Sequence, residues 1–226
     1  MKQTNRFFFC SLLVSGMLLL LMISCKKDDT NKAETSNDIT DIDGNIYHSV
    51  TIGTQVWMLE NLKTTRYRNG DPILNVSDSA QWANSTASAY CEYNNNHNNF
   101  TVYGNLYNWY AVTDSRNIAP KGWHVPTGSE YIVLSQFIEQ KAGKLKETGT
   151  VHWVYNQGTD NSSGFTALPG GFRNNDGSFR FLGHNAYFWT SASNAFAWQL
   201  AEIDMVMSNI DYPKNTGISV RCIKDL

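Results

Sequence analysis

The stretch that most constrains this fold is residues 122–130, which read Gly-Trp-His-Val-Pro-Thr-Gly-Ser-Glu. The aromatic and β-branched residues before Pro126 predict a short buried strand, and the proline predicts where that strand stops. Thr127 and Glu130 have the spacing of a capping box, in which each side chain accepts a backbone N–H that the first helical turn leaves unpaired. The apolar residues that follow fall on one helical face: Tyr131, Leu134, Phe137 and Ile138. These signals predict a buried strand that leads directly into an amphipathic helix.

Large aromatic side chains dominate the expected core. The chain has 226 residues, of which 42% are hydrophobic and 13% aromatic, including seven tryptophans and eleven tyrosines. This composition suits one globular domain with appendages, packed around flat rings and not around long aliphatic helices. The formal net charge is −2, so the chain has no basic field that would hold nucleic acid.

Residues 1–24 have the pattern of a lipoprotein signal peptide. Lys2 and Arg6 precede an apolar run over residues 7–23, and the small residue Ser24 comes directly before Cys25. This arrangement resembles a bacterial lipobox, although Met22 stands where leucine is usual. It predicts cleavage before Cys25, acylation of that thiol and anchoring in a membrane through the acyl chains. A plain secretory signal and an uncleaved membrane anchor are the alternatives.

A polar tether is expected between the anchor and the folded domain. Residues 25–38 contain hardly an apolar side chain, so they cannot bury enough surface to stay ordered. The basic-then-acidic tetrad at residues 26–29 is similar to the surface-export signal of Bacteroidetes lipoproteins. We therefore expect an outer-membrane lipoprotein, displayed at the cell surface, with its folded domain over residues 39–226.

The remaining turn signals and apolar patterns predict short strands, turns and a second amphipathic helix. Asp43-Gly44 is a hairpin signal, which we favour over a calcium loop because the glycine spacing does not fit an EF-hand. A short helix is expected over residues 78–84, an asparagine-rich surface loop over 94–99 and an amphipathic helix over 103–112. Closing strands are expected at 188–191, 197–200 and 218–223. The predicted fold class is therefore α+β, with mostly short antiparallel strands and two amphipathic helices.

Six sequence blocks occur in an order that is typical of one family: residues 41–47 (Asp-x-Asp-Gly-Asn-x-Tyr), 52–62, 103–109, 122–126, 164–171 (Gly-Phe-x-Ala-Leu-Pro-Gly-Gly) and 219–222. On these blocks the chain resembles the Fibrobacter succinogenes major paralogous domain family, found in multi-copy lipoproteins of Bacteroidetes and Fibrobacteres. A second similarity, carried by residues 125–131 and 217–222, is to the formylglycine-generating-enzyme and C-type-lectin-like fold. That similarity implies paired terminal strands, with Val220 near the opening hairpin.

Cysteine usage departs from the resembled family at one position. Members often carry a cysteine before the Pro-x-Gly-Trp block, where this chain has Ala119. If Cys25 is acylated, Cys91 and Cys222 remain as an even pair in an oxidising compartment, which makes them a candidate disulfide. The alternative is that the missing cysteine was the partner of Cys222, which would leave two free buried thiols.

The sequence contains no motif that predicts catalysis. His-x-x-x-His, Cys-x-x-Cys and Gly-x-Ser-x-Gly patterns are absent. His124 and Glu130 fit an acid–base pair, but their roles in a strand and a helix cap explain both residues without chemistry. His152 and His184 look isolated, with no carboxylate at ligand or dyad spacing. We therefore expect no catalytic residue, no metal site and no cofactor.

Binding is the function that remains after this elimination. An aromatic-rich domain on a lipid tether, with polar loops, suits stacking on sugars or capture of a protein ligand. The candidate ligand-binding residues are Arg173, Asn174, Asn175, Asp176 and Trp189, together with the 94–99 loop, although Trp189 also fits core packing. The alternatives are a structural part of a surface assembly and an enzyme related to formylglycine-generating oxidases.

Overall fold

A computed structural model describes residues 38–203 and 206–226 of the chain. The predicted signal peptide, the acylated Cys25 and all but the last residue of the predicted tether lie outside the described residues. The described residues belong to one compact unit. Within them, no helix has the length and apolar character that a membrane span needs.

The first strands form two hairpins. β1 (Ile39–Thr40) pairs with β2 (Ile46–Tyr47), and β3 (Ser49–Ile52) pairs with β4 (Gln55–Met58). Asp41 closes the first turn, because its Oδ1 accepts the N–H of Asn45 at 2.9 Å and its Oδ2 accepts the hydroxyl of Tyr47 at 2.6 Å. The hairpin prediction at Asp43-Gly44 is confirmed, and the Asp41 side chain stabilises the turn through these hydrogen bonds.

The C-terminal strand lies between an early strand and a middle strand of the domain. β14 (Ile223–Lys224) lies between β4 and β8 (Trp123–His124), and the sheet order is β3-β4-β14-β8. Just before β14, the carbonyls of Val220 and Cys222 accept the N–H groups of Leu62 at 2.7 Å and Met58 at 3.0 Å. Val220 therefore bonds to the residue Leu62, which follows β4, and its expected place near the opening hairpin stays a prediction.

The predicted capping box and helix follow β8. α4 (Gly128–Phe137) begins after Thr127, whose side chain accepts the Glu130 N–H, while the Glu130 carboxylate accepts the Thr127 N–H at 2.7 Å. Three residues of the predicted apolar face are buried: Tyr131, Leu134 and Ile138. Phe137 is different, since it is 55% exposed and lies over Gly53.

The helix predicted over residues 103–112 is wrong. That segment holds the end of α2 (His97–Tyr103), then β7 (Leu106–Tyr107) and α3 (Trp109–Val112). Gly104 breaks the helix at φ 72°, and a Cβ there would lie 2.7 Å from the carbonyl oxygen of Leu62. The close approach of a distant segment, together with a left-handed backbone, requires glycine and ends the helix. The asparagine-rich segment is correspondingly not all loop, because α2 begins at His97 after a 3₁₀ turn at Tyr93–Asn95.

The other elements complete three small sheets. β5 (Leu74–Asn75), β6 (Ala89–Cys91) and β7 form one sheet, and β9 (Gly170–Arg173) pairs with β10 (Phe179–Leu182). β11 (Asn185–Trp189), β12 (Phe196–Ala201) and β13 (Ser208–Asp211) form the third. α1 (Ser79–Ala83) is capped by Asp78, as its spacing predicts. The α+β class of short, mostly antiparallel strands is confirmed.

Aromatic rings fill the core, and a buried arginine joins them to the C-terminal segment. Trp57 packs against Tyr131 and Phe165 at centroid distances of 5.1 and 5.6 Å. The Arg221 guanidinium lies 4.3 Å from the Phe165 ring centroid and donates two hydrogen bonds to Asn61 Oδ1, at 3.0 and 3.2 Å. Burial lowers the pKa of Arg221 to about 10. Such a charge is tolerated because its donors are paired and its face is stacked on a ring.

The candidate Cys91–Cys222 disulfide does not form. Both residues are free and buried. Cys91 packs in a cluster with Val76 and Trp82, whereas Cys222 packs in a different cluster that includes Ala119. Since the two side chains sit in separate clusters, the alternative of two buried thiols describes the structure. Burial raises the pKa of Cys91 to about 12 and raises the pKa of Cys222 as well, which makes both thiols poor nucleophiles.

Candidate functional site

Arg173 is not available to a ligand, so its predicted binding role is wrong. Its side chain is fully buried. The guanidinium donates to the carbonyls of Gly177 at 3.1 Å, Val76 at 2.6 Å and Ser77 at 2.9 Å. It also lies 4.5 Å from the centroid of the Trp82 ring. Arg173 therefore ties β9 to the segment before α1.

Trp189 is a core residue. Its side chain is fully buried, and its indole Nε1 donates to the Tyr107 carbonyl at 2.7 Å. Of the interpretations left open for this residue, core packing is the one that the structure supports.

The other three predicted ligand residues form the β9–β10 turn. Asn175 and Asp176 are exposed and Asn174 is half-buried. The Asp176 carboxylate accepts the N–H of Ser178 at 2.8 Å and its hydroxyl at 2.6 Å. These contacts give the carboxylate a local role in the turn, and the five predicted residues do not come together as one site.

Two adjoining clefts on another part of the surface offer a better site. The first, called here the lysine cleft, has a volume of about 300 Å³ and is lined by three lysines, Lys141, Lys144 and Lys146, and by the loop at residues 155–160. The second, the Phe181 cleft, has a volume of about 330 Å³ and is lined by Phe181, His184, Asn185 and the end of β12. Glu202 and Ile203 line both clefts and form their common wall.

The lysine cleft is built where α4 ends. Glu139 and Gln140 both adopt left-handed backbone conformations, with φ of 57° and 62°, which turns the chain sharply toward the 3₁₀ turn Ala142–Lys144. At Gly143 a Cβ would lie 2.5 Å from the Gly158 carbonyl oxygen. Only glycine therefore allows the 155–160 loop to lie so close to this turn.

Lys146 provides a buried positive charge on the wall of the lysine cleft. It is only 2% exposed, and its Nζ donates to the carbonyls of Ala201 at 3.1 Å and Glu202 at 3.0 Å. The ammonium also lies 4.7 Å from the centroid of the Trp153 ring. These contacts offset the cost of removing the charge from water. They also connect Lys146, on the wall of the lysine cleft, to the end of β12.

Phe181 is the most unusual residue of the second cleft. It is 50% exposed and has a φ of 62°, which is a strained conformation for a bulky side chain. Gly171 lies opposite on β9 with a φ of 61°, and a Cβ on it would lie 2.4 Å from the Arg180 carbonyl oxygen. The exposed ring packs on Phe172 at a centroid distance of 5.9 Å. The close crossing of the two strands thus presents an aromatic face to solvent beside the cleft.

Polar groups stand next to this ring. His184 Nδ1 lies 2.9 Å from Glu202 Oε2, and Asn185 Nδ2 donates to the Tyr187 hydroxyl at 2.7 Å. The cleft therefore combines one exposed aromatic face with oriented carboxylate, imidazole and amide groups. This combination of an apolar surface and a few polar groups is typical of a small-molecule binding site.

Every histidine of the chain is paired with a carboxylate. The pairs are His48–Glu60, His97–Glu92, His124 with Glu130 and Asp225, His152–Glu147 and His184–Glu202. The expectation that His152 and His184 have no carboxylate nearby is therefore wrong. In the part of the chain that the structure describes, no group of three acidic, histidine or cysteine side chains could hold a metal ion.

His124 links the C-terminal segment to the start of α4. Its Nδ1 lies 2.7 Å from Asp225 Oδ1, and its Nε2 lies 2.8 Å from Glu130 Oε1. Partial burial favours the neutral ring, but the hydrogen bonds to Asp225 and Glu130 outweigh it and raise the pKa of His124. Each ring nitrogen is engaged by a structural partner, in keeping with the strand-and-cap interpretation of His124 and Glu130.

Sequence reasoning missed the residues of both clefts. One available signal was the run of three lysines between residues 141 and 146 in a chain with net charge −2. The sequence gives no signal for Phe181, because an aromatic residue with a left-handed backbone cannot be told from any other strand residue by its residue type. Glu202 and Ile203 lie more than fifty residues from the lysine run and reach it only through the fold.

The fold and the clefts define a small α+β domain with an aromatic core, two buried structural arginines and a cleft-bearing surface. The family model of the Fibrobacter succinogenes major domain, which describes the sequences of that family, matches residues 50–224 of this chain. The chain belongs to that family. No curated protein matches the chain, and no solved structure matches it.

Proposed function

We propose that this protein is a lipid-anchored binding module of the cell envelope whose ligand is a glycan held at the Phe181 cleft. The observation that carries the proposal is the half-exposed Phe181 ring on a left-handed backbone, beside the His184–Glu202 pair. Backbone strain of this kind costs on the order of 1–3 kcal/mol and clusters at ligand-binding sites.

The chemistry of the cleft suits a sugar. The C–H face of a pyranose can stack on an aromatic ring, while its hydroxyl groups exchange hydrogen bonds with planar polar side chains. Phe181 supplies the ring, and Glu202, His184 and Asn185 supply donors and acceptors along the same cleft.

We propose binding without catalysis. The His184–Glu202 pair resembles half of an acid–base arrangement, but the described residues lining the Phe181 cleft include no hydroxyl or thiol nucleophile. The buried thiols of Cys91 and Cys222 lie outside both clefts. This argues against an enzyme related to formylglycine-generating oxidases, which use a pair of reactive cysteines.

The anchor and the finer fold assignment belong to the same proposal. Acylation at Cys25 would hold the domain at the outer membrane and display it at the cell surface. Radiolabelled fatty acid should enter the wild-type chain but not Cys25→Ala, which should also leave the membrane fraction. A C-type-lectin-like arrangement is supported by the placement of β14 beside β4, which pairs the last strand with one of the first four.

Glycan and polysaccharide arrays probed with the full chain in detergent test the binding role. Phe181→Ala should abolish a signal that the wild type gives, whereas Phe137→Ala should keep it, because Phe137 is similarly exposed at 55% but lies on α4. Silence of the wild type on every glycan would refute the glycan proposal, and turnover of an ester, glycoside or thiol substrate would refute the non-catalytic one.

A protein ligand or a structural role in a surface assembly is the second candidate. Two aliphatic side chains in this region are exposed: Ile203, which lines both clefts, at 71%, and Val154, whose N–H donates to the Gly183 carbonyl at 2.8 Å, at 65%. Exposed apolar groups of this kind are used in protein interfaces. A surface partner captured by the wild type and lost in Ile203→Asp, without any glycan signal, would favour this candidate.

A further inference from the structure

We propose that the lysine cleft and the Phe181 cleft act together as one extended site for an uncharged, linear glycan chain, with Tyr155 as a second stacking residue. This inference rests on the proposed glycan-binding function, and it adds the class of glycan and a residue that selects for chain length. Glu202 and Ile203 line both clefts, so the two clefts adjoin along this wall and one oligosaccharide can occupy both.

Tyr155 gives the lysine cleft an aromatic surface of its own. It lines that cleft and is 46% exposed, and its hydroxyl donates to the side-chain oxygen of Gln157. Phe181 in the other cleft is exposed to nearly the same degree, at 50%. Each ring can stack against the C–H face of a sugar. A chain that contacts both rings therefore gains a second stacking contact without a second loss of translational freedom.

The backbone brings the two rings to the same part of the surface. Val154, which directly precedes Tyr155, donates its N–H to the Gly183 carbonyl at 2.8 Å. Gly183 lies only two positions after Phe181, so this hydrogen bond joins the segment that carries one ring to the turn that follows the other. Ile203 adds an exposed apolar side chain on the common wall. Exposed apolar groups gathered in one place mark a binding face.

The charges around the lysine cleft are balanced, which favours an uncharged ligand. The three lysines that line it face three carboxylates, those of Glu139, Asp160 and Glu202. Glu139 Oε2 contacts Lys141 at 2.7 Å and Lys144 at 3.3 Å, and Asp160 interacts electrostatically with the same two lysines. An ionic ligand would have to displace these pairings. The hydroxyl groups of a neutral sugar can donate to a carboxylate and accept from an ammonium group without displacing either.

The size of the clefts favours a chain over a single sugar. Their volumes are about 300 and 330 Å³, and each lies at the lower end of the roughly 300–1,000 Å³ that is usual for small-molecule sites. Either cleft alone suits a short piece of glycan, whereas the two side by side suit a longer stretch. Affinity should therefore rise with chain length until both clefts are filled.

The test measures affinity against chain length by calorimetry, on the full chain in detergent. The probes are cello-, xylo-, malto- and manno-oligosaccharides of increasing length, with oligogalacturonate as the acidic comparison. We expect the hexasaccharide of at least one uncharged series to bind about tenfold more tightly than its disaccharide, which corresponds to about 1.4 kcal/mol. Oligogalacturonate should bind less tightly than that hexasaccharide.

Variants at Tyr155 locate the effect. Tyr155→Ala should lose the tenfold gain of the hexasaccharide and keep the disaccharide affinity, which Phe181 supports from the other cleft. Tyr155→Phe should retain the gain, because the ring remains. Phe137→Ala is the control, since Phe137 is an exposed aromatic residue that lines neither cleft.

The outcomes separate this inference from the proposed function. Equal affinity for disaccharide and hexasaccharide, with Phe181→Ala still abolishing both, overturns the extended site and leaves glycan binding in place. A gain with length that survives in Tyr155→Ala, or that Phe137→Ala removes as well, overturns the role of Tyr155. Tighter binding of oligogalacturonate than of every uncharged probe overturns the uncharged class. Binding of none of these probes overturns this inference, and silence on the glycan arrays overturns the proposed function with it.

Discussion

Replacing Arg173 by methionine tests whether this buried arginine serves structure or ligand binding. Methionine keeps the length and apolar contacts of the side chain but removes the donors that satisfy the carbonyls of Val76, Ser77 and Gly177. The residues Val76 and Gly177 are buried, whereas Ser77 is exposed to solvent. A buried acceptor left unpaired costs about 1–3 kcal/mol, so two of them should lower the free energy of unfolding by about 3 kcal/mol.

Urea denaturation of residues 38–226, followed by tryptophan fluorescence, measures this change. With a slope of about 2 kcal/mol per molar urea, a loss of about 3 kcal/mol moves the unfolding midpoint down by about 1.5 M. Arg180→Met is the matched control, because Arg180 is an exposed arginine on the partner strand β10, and it should shift the free energy by less than about 0.5 kcal/mol. An Arg173→Met protein as stable as the control, but unable to bind glycan, would refute the structural assignment.

Three further predictions concern pH, backbone conformation and thiols. The folded-state pKa of His124 is raised, so its pairing stabilises the domain most below the ordinary histidine pKa of about 6.5 and less as pH rises through the folded value. His124→Asn should therefore cost more stability in acid than in alkaline urea titrations, and a pH-independent difference would contradict this. Gly171→Ala should destabilise by at least about 2 kcal/mol in the same titration, because a Cβ would lie 2.4 Å from a backbone oxygen at a φ of 61°; unchanged stability would disprove the close crossing. Cys91 and Cys222 should resist alkylation in the native protein and both react after unfolding without reductant, whereas mass mapping of a linked pair would restore the disulfide.

Local sequence signals predicted the elements that depend on neighbouring residues. The capping box at Thr127 and Glu130, the cap at Asp78 and the turn at Asp43-Gly44 are all present. Each is made by side chains and backbone groups within a few positions of each other, so the pattern of residue types contains the information needed.

Predictions failed where a distant segment changed the local outcome. The helical pattern over residues 103–112 is real, but Gly104 sits against the carbonyl of Leu62 and the chain becomes a strand there. Histidines that looked isolated acquire carboxylate partners through turns and strand pairing, as His184 does from Glu202. At residues 103–112, a tertiary contact therefore overrode the helical periodicity of the sequence. At His184, the fold supplied a carboxylate partner that the sequence spacing did not show.

The sequence by itself determined the family and the α+β class, and it predicts an address at a membrane. Tertiary structure decided which polar residues are available. Arg173 was a candidate ligand-binding residue, yet its guanidinium donates to acceptors 96 and 97 positions earlier in the chain and is fully buried. The two clefts likewise exist only because the end of β12 lies beside the lysine run and beside Phe181. Burial and cleft shape depend on which distant segments pack together, and no local pattern of residue types contains that information.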